Sequence, residues 1–455
     1  MGTTSVVLFL YLGNFMNIIH GDCLEELKKL EDNSVDAVVC DPPYGLSNTK
    51  PQQVADVLKA WVTGDTVSVP AKRGGFMGKD WDSFVPPPAV WEECMRVLKP
   101  GGHMAVFAGA RTQDLMGLSI RLAGFEIRDT LGWIYGSGFP KSHDIGKAID
   151  KAAGAEREVV GRYQPPNGSD WNLRDGEAKP TIGAVGHSDR VASLSITAPT
   201  TPEAQRWDGW GTSLKPAIEP ILLCRKPLDG TVASNVLAHG VGGLNIDACR
   251  VATDEAIACH RGTNGAAGNT YGNRDEYIPG SANAENTHTK GRFPANVLLD
   301  EHAAKEMDKQ SGGTRAEKPS KSGTAGATVQ EATWKCWHTP GEEIAGYNDS
   351  GGASRFFPVF KYQAKAPKRE RPVIEREDGT KIQHNTVKPL ALMEWLVSLI
   401  VPPGGVVLDP FAGSGTTLQA ATNKGFRPIG IEADADYIQL IHRRMEGGEQ
   451  STLNS

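Results

Sequence analysis

The chain has no apolar run of the roughly 20 residues that a bilayer-spanning helix needs. Its seven cysteines contain no CxxC pair. The close Cys/His pairs, Cys259-His260 and Cys336-Trp337-His338, have no second pair at zinc-ligand spacing, so no metal site is expected. Scattered and odd in number, the cysteines read as free thiols in a reducing, cytoplasmic compartment. A global excess of positive charge is also missing. The formal net charge is −6, so any nucleic-acid contact must come from a local basic patch. Internal repeats and coiled-coil heptads are absent. The short apolar run from Val6 to Leu12 has neither a basic leader nor a cleavage site and does not read as a signal peptide. Residues 1–15 are expected to be a loose tail ahead of Met16, or a mis-set start with Met16 as the true one.

What is present is an alternation of strand and helix, met twice. From Met16 onward, Asn17 to His20 reads as a strand, Cys23 to Leu30 as an amphipathic helix and Val35 to Cys40 as a strand buried on both faces. Trp91 to Leu98 reads as a helix stopped by Pro100-Gly101-Gly102, followed by the strand Met104 to Ala108 and a helix from Leu115 to Leu122. Ile145 to Ala153 looks helical, Gln164 to Pro202 a long polar loop, and Ile218 to Cys224 a buried strand. Residues 228–360 lose the rhythm and are dense in Gly, Asn, Thr and Ala. The rhythm returns with a helix Leu390 to Ile400, a strand Val406 to Leu408, a helix Thr417 to Asn423 and a strand Pro428 to Ile431. One doubly wound α/β sheet, interrupted by an insertion, explains two such blocks. The expected division is 16–227 and 361–446 for the two halves of the sheet domain, 228–360 for the insertion, and 447–455 for a tail.

Two motifs carry chemistry. Asp41-Pro42-Pro43-Tyr44 follows the buried strand directly. Its prolines remove two amide donors, which leaves backbone carbonyls to accept hydrogen bonds. A carboxylate and a carbonyl held together can both accept from one –NH₂ group, and Tyr44 offers a flat face for a base. An exocyclic amine is a poor nucleophile because its lone pair is delocalised into the ring. Two fixed acceptors draw it towards tetrahedral geometry, with no strong base required. The second motif, Asp409-Pro410-Phe411-Ala412-Gly413-Ser414-Gly415-Thr416-Thr417, lies between a strand and a helix. Its glycines permit a tight turn and close approach to a ligand at a helix N-terminus. No Lys follows the last glycine, so it is not a phosphate loop. About 17 residues after Gly415 stands Glu432, at the place of a ribose-binding acid in a nucleotide-binding βαβ unit.

Together these motifs resemble those of the amino-methylating DNA methyltransferases, a family with a DPPY-type catalytic motif and an FxGxG-type cofactor motif. The order, catalytic motif first and cofactor motif last, is similar to that of the family's permuted β class. Ile18 to Cys23, Leu98-Lys99-Pro100-Gly101-Gly102 and His384-Asn385-Thr386-Val387-Lys388-Pro389 match its supporting segments. Asn385 departs from the family's usual proline or small residue. The resemblance implies a Rossmann-like fold that binds S-adenosyl-L-methionine, with 228–360 as an irregular target-recognition domain. It implies Asp41, Pro42, Pro43 and Tyr44 as the catalytic set. For the cofactor it implies Asp22 at the adenine, Glu432 at the ribose, and Asp409, Phe411, Gly413 and Gly415 on the methionine side. Thr386 and Lys388 match the segment that closes over that end. Asp22 also reads as a helix cap, and His20 and His384 as structural.

The basic run Lys361, Lys365, Lys368, Arg369, Arg371 and Arg376 reads as a solvated loop by default. Beside a DNA cleft it is a candidate for phosphate contacts. The activity implied is site-specific methylation of double-stranded DNA, with adenine N6 favoured over cytosine N4 because the family tends to pair Asp in the first motif position with adenine. A cognate restriction endonuclease is a candidate partner, and a bacterial or phage genome the expected setting. Methylation of RNA or of a protein glutamine uses a related motif that begins with Asn, against Asp41 here. A DNA-binding module with a decayed site would have lost at least one motif, and both are intact.

Overall fold

The computed structural model describes residues 6–11, 14–47, 49–70, 82–136, 138, 142–162, 195–253, 257–258, 287–288, 291–315, 350–360, 371–376, 378–384 and 386–452. They fall into two compact units, one formed by Met1–Ser137 with Ile218–Ser455 and the other by Gly138–Ala217.

The larger unit is built on a ten-stranded sheet. In chain order its strands are β1 (Val6–Tyr11), β2 (Asn14–His20), β3 (Val35–Cys40), β4 (Leu98–Phe107), β5 (Glu126–Ile134), β6 (Ile218–Arg225), β7 (Val297–Asp300), β8 (Val359–Phe360), β9 (Val406–Asp409) and β10 (Arg427–Glu432). Across the sheet they run β1-β2-β10-β9-β3-β4-β6-β5-β7-β8. Every neighbouring pair is parallel except those made by β1 and β6, which run against the rest. Parallel strands need cover on both faces, and β3 is apolar but for Asp36, whose buried carboxylate accepts from Lys99 Nζ and the Val406 amide. Val38 and Cys40 pack into one core with Leu27, Trp61, Trp91 and Met116 from the helices on that side. Ala37 and Val39 pack into the other, with Leu396 and Ile400 of the helix Leu390–Ile400 and Ala421 of the helix Thr416–Asn423. The α/β doubly wound architecture expected from the sequence is the one observed.

The chain leaves β3 towards β4 in one direction and β9 towards β10 in the other. This reversal opens a crevice at the carboxyl ends of β3 and β9, the usual ligand position in such sheets. Leu408 of β9 pairs with Val38 of β3, so the residues that follow the two strands, both sequence motifs, meet there.

Several expectations are corrected. Val6–Tyr11 is no loose tail; it forms a hairpin with Asn14–His20 and extends the sheet beyond β2. Lys99 to Gly102 does not end the secondary structure. The helix ends at Val97 and the segment lies inside β4 as a bulge, because the register steps from Val35↔Leu98 to Ala37↔His103 with Gly101 at φ +78°. Within 228–360, Val297–Asp300 and Val359–Phe360 are strands of the main sheet, and the second compact unit is Gly138–Ala217 instead. The final helix, Ala435–Thr452, continues through residues expected as a tail. Among the described residues, no helix is long and apolar enough to cross a membrane.

In the smaller unit the helix Ile145–Ala152 carries Asp150, buried, whose carboxylate accepts from Arg157 Nη1 at 2.6 Å and from the Thr200 and Thr201 amides. Val159–Arg162 pairs antiparallel with Ser195–Thr197, the latter inside the stretch Gln164 to Pro202 that the sequence suggested as loop.

Candidate active site

Asp41 lies one residue beyond β3, with Tyr44 folded back beside it. The Tyr44 hydroxyl donates to Asp41 Oδ1 at 2.7 Å. Pro42 is buried, and Gly45 N–H is held by the buried carboxylate of Asp82 at 2.9 Å. Thr112 donates to the Tyr44 carbonyl at 2.6 Å, which fixes the far end of the turn. Lys388 Nζ reaches across to Asp41 Oδ2 at 3.0 Å and to the Tyr44 hydroxyl at 2.9 Å. Burial works against the Lys388 ammonium, but Asp41 and Glu219 outweigh it, so its pKa is raised and the group stays charged. Burial and the Asp41 charge push the Tyr44 phenol well above its ordinary pKa, so it stays a neutral donor.

The second motif sits across the crevice. Asp409 ends β9 and accepts from the Phe411 amide at 3.0 Å. Glu432 ends β10; its two oxygens accept from Gly413 N–H at 2.7 Å and Asp434 N–H at 2.9 Å. Burial pushes the Asp409 carboxyl up to about 7, against hydrogen bonds from Thr417 and the Phe411 amide, with Asp41 and Glu432 adding to the rise. Glu432 is likewise pushed up to about 7 by burial, against the amides of Asp434 and Gly413. Phe411 packs 6.1 Å from the Trp91 ring.

The loop's glycines are needed for a reason that differs from ligand approach alone. Gly413 and Gly415 stand at φ +53° and +78°, the left-handed region that disfavours side chains. A Cβ at Gly415 would lie 3.0 Å from Ile441, and one at Gly413 3.1 Å from His384 Nε2. From the final helix, the buried Arg444 donates to the Ser414 carbonyl at 2.6 Å and clamps the turn between the two glycines.

Asp22 caps the helix Cys23–Leu27 through Oδ1, at 3.0 Å from Leu24 N and 3.3 Å from Glu25 N. It also lies close to Glu432, since His20 pairs with Glu432 and Gly21 N–H donates to the Glu432 carbonyl at 3.0 Å. His384 packs edge-on against Tyr437, with ring centroids 4.6 Å apart, and meets Thr386 through Nδ1. Thr386 itself is exposed on the rim. Lys388 is brought to Asp41, not to the glycine loop whose closure the resemblance implied.

Sequence reasoning missed Glu219, whose Oε2 lies 3.0 Å from Lys388 Nζ. A single acid opening the apolar run Ile218–Arg225 was the available signal. Arg376 pairs with both oxygens of Asp436, at 2.7 and 2.6 Å, and so is committed within the protein. Lys361, Lys365, Lys368 and Arg369 lie outside the described residues, and Arg371 is half-buried.

A family model described as DNA methylase matches residues 35–443, a stretch that contains Asp41, Glu219, Lys388 and the glycine loop. The chain belongs to the DNA methylase family. Among curated relatives of this methylase, the type II methyltransferase M2.DpnII of Streptococcus pneumoniae is 38% identical over 69 residues, 15% of this chain and 26% of the relative. The DNA adenine methyltransferase YhdJ of Escherichia coli (strain K12) is 44% identical over 63 residues, 14% and 21% of the two chains. The matched stretches thus span about a quarter of these relatives. Among solved structures, the PvuII DNA methyltransferase (cytosine-N4-specific) is 13% identical with a TM-score of 0.39, covering 95% of this chain and 86% of that one. The M1.HpyAVI-SAM complex is 14% identical with a TM-score of 0.35, covering 94% and 98%.

Proposed function

We propose that this methylase transfers a methyl group from S-adenosyl-L-methionine to the exocyclic amine of a base in double-stranded DNA, with adenine N6 as the acceptor. The observation that carries the reading is the meeting of Asp41 and Tyr44 with the Asp409–Gly415 loop across the switch point of the sheet.

The residues present fit the cofactor. Asp22, Asp409 and Glu432 are carboxylates at the carboxyl ends of neighbouring strands, and burial holds two of them at raised pKa. Such a set of acceptors suits a ligand that brings positive charge and hydroxyl donors. Asp22 and Glu432 would take the nucleoside, and Asp409 with the Phe411–Gly415 turn the amino-acid end. S-adenosyl-L-methionine supplies an electrophilic methyl group on a sulfonium.

The protein's own part is to make a poor nucleophile competent. The target amine is paired inside the duplex, so the base must leave the stack and find a new surface, for which Tyr44 is the candidate. Asp41 then accepts one N–H and a backbone carbonyl of the proline turn the other, which turns the nitrogen lone pair out of the ring. As the new N–C bond forms the nitrogen becomes cationic. Asp41 is the adjacent carboxylate to receive the proton it sheds.

Adenine is favoured by Asp41 in the first motif position and by the adenine methyltransferase among the relatives. The type II names among the relatives support a sequence-matched endonuclease as functional partner, and DNA as substrate supports a cytoplasmic setting. Mass spectrometry of nucleosides from DNA treated with the pure protein tests the base. N6-methyladenine is expected, and N4-methylcytosine in its place would reverse the choice while leaving the reaction class intact.

A further inference from the structure

Lys388 is tied three ways at once. Its Nζ donates to Asp41 Oδ2 at 3.0 Å, to the Tyr44 hydroxyl at 2.9 Å and to Glu219 Oε2 at 3.0 Å, so all three N–H bonds of the ammonium have acceptors. Tyr44 in turn donates to Asp41 Oδ1 at 2.7 Å, so both oxygens of Asp41 already hold a donor. A target amine needs one of them. The ammonium cannot simply swing into water, because its side chain is only 12% exposed and the Phe107 ring lies 4.8 Å from Nζ.

We propose that Glu219 is a positioning residue that retains the Lys388 ammonium while Asp41 turns to the target amine. The proposal rests on the amine-methylation reading and deepens it. With Glu219 present, Lys388 has a second anion to lean on, and Asp41 is freed without stranding a buried charge. The pair also sets the sign of the site. Two carboxylates against one ammonium leave one negative charge beside the nitrogen that becomes cationic during alkylation.

Glu219 reaches this position because β6 runs against its neighbours. Its amino end therefore lies at the edge where β4 and β5 end, and Glu219 pairs there with Trp133. The carboxylate arrives from a strand that carries neither motif.

The test is single-turnover methyl transfer from labelled S-adenosyl-L-methionine to saturating duplex DNA. Glu219→Gln should slow the chemical step about 10- to 100-fold, the usual cost of losing a residue that holds another in place. Dissociation constants for cofactor and DNA should stay unchanged, which also shows that the variant is folded. Glu219→Asp should recover part of the rate. A Glu219→Gln/Lys388→Met double variant should be no slower than Lys388→Met alone, because Glu219 acts only through Lys388. Losses that multiply in the double variant, or an unslowed Glu219→Gln beside an active wild type, overturn this proposal alone. A wild-type protein that leaves DNA unlabelled overturns the methylation reading and this one with it.

Discussion

Cofactor affinity should fall steeply as pH drops through neutrality. Asp409 and Glu432 are each pushed up to about 7 by burial. At pH 8 such groups are about nine-tenths ionised and at pH 6 about one-tenth. A ligand that brings ammonium and hydroxyl donors to these carboxylates binds their ionised forms. Each group thus costs about tenfold in affinity between pH 8 and pH 6, or about 1.4 kcal/mol. For the two together the loss approaches 100-fold, less whatever their mutual repulsion already contributes, since Glu432 is one cause of the rise at Asp409. Titration calorimetry at pH 6, 7 and 8, in two buffers of different ionisation enthalpy, should show weakening affinity and proton release on binding near pH 7. The folding sign is opposite. Both pKa values lie above their unfolded values, so the folded protein binds more protons from about pH 4 to pH 7. These two groups therefore cost stability above pH 7, and the ligand-free protein recovers part of it as pH falls to 6 and the rest only towards pH 4. A dissociation constant flat from pH 6 to pH 8, with no proton release, would refute the reasoning.

Two further outcomes follow from the same geometry. Gly415→Ala places a side chain at φ +78° and 3.0 Å from Ile441, so it should destabilise the fold by at least about 1–2 kcal/mol, read as a lower midpoint in denaturant. Duplexes with a mismatched or abasic position opposite the target should bind more tightly than matched ones, because the unpairing cost falls; equal affinities would count against base extrusion.

The two motifs were legible because each couples a residue pattern to a strand end, and the strands that carry them are short apolar runs with clear ends. Val35–Cys40 was read at its true bounds for this reason. The parts that escaped depend on pairing, which sequence periodicity does not record. Pro100-Gly101-Gly102 looks like a terminator, yet parallel pairing with β3 carries the strand through it as a bulge. Val297–Asp300, with four residues in an irregular stretch, becomes a strand because β5 and β8 lie on either side of it. Glu219 is the sharpest case. Its place at the site follows from the reversed direction of β6, and nothing in Ile218–Arg225 reveals that direction. Arg444 is similar, since its hold on Ser414 requires the final helix to pack under the loop.

The central claim is that Asp41 activates a DNA amine for methylation, and one comparison tests it. Wild-type protein and Asp41→Ala are each incubated with labelled S-adenosyl-L-methionine and duplex DNA, and nucleosides are resolved by mass spectrometry. The account predicts label on an exocyclic amine in the wild-type reaction. It predicts a rate lower by about 10²–10³ for Asp41→Ala, the usual cost of deleting one preorganised polar contact, with cofactor affinity nearly unchanged. Unlabelled DNA with wild-type protein, or a variant that turns over at the wild-type rate, would contradict it.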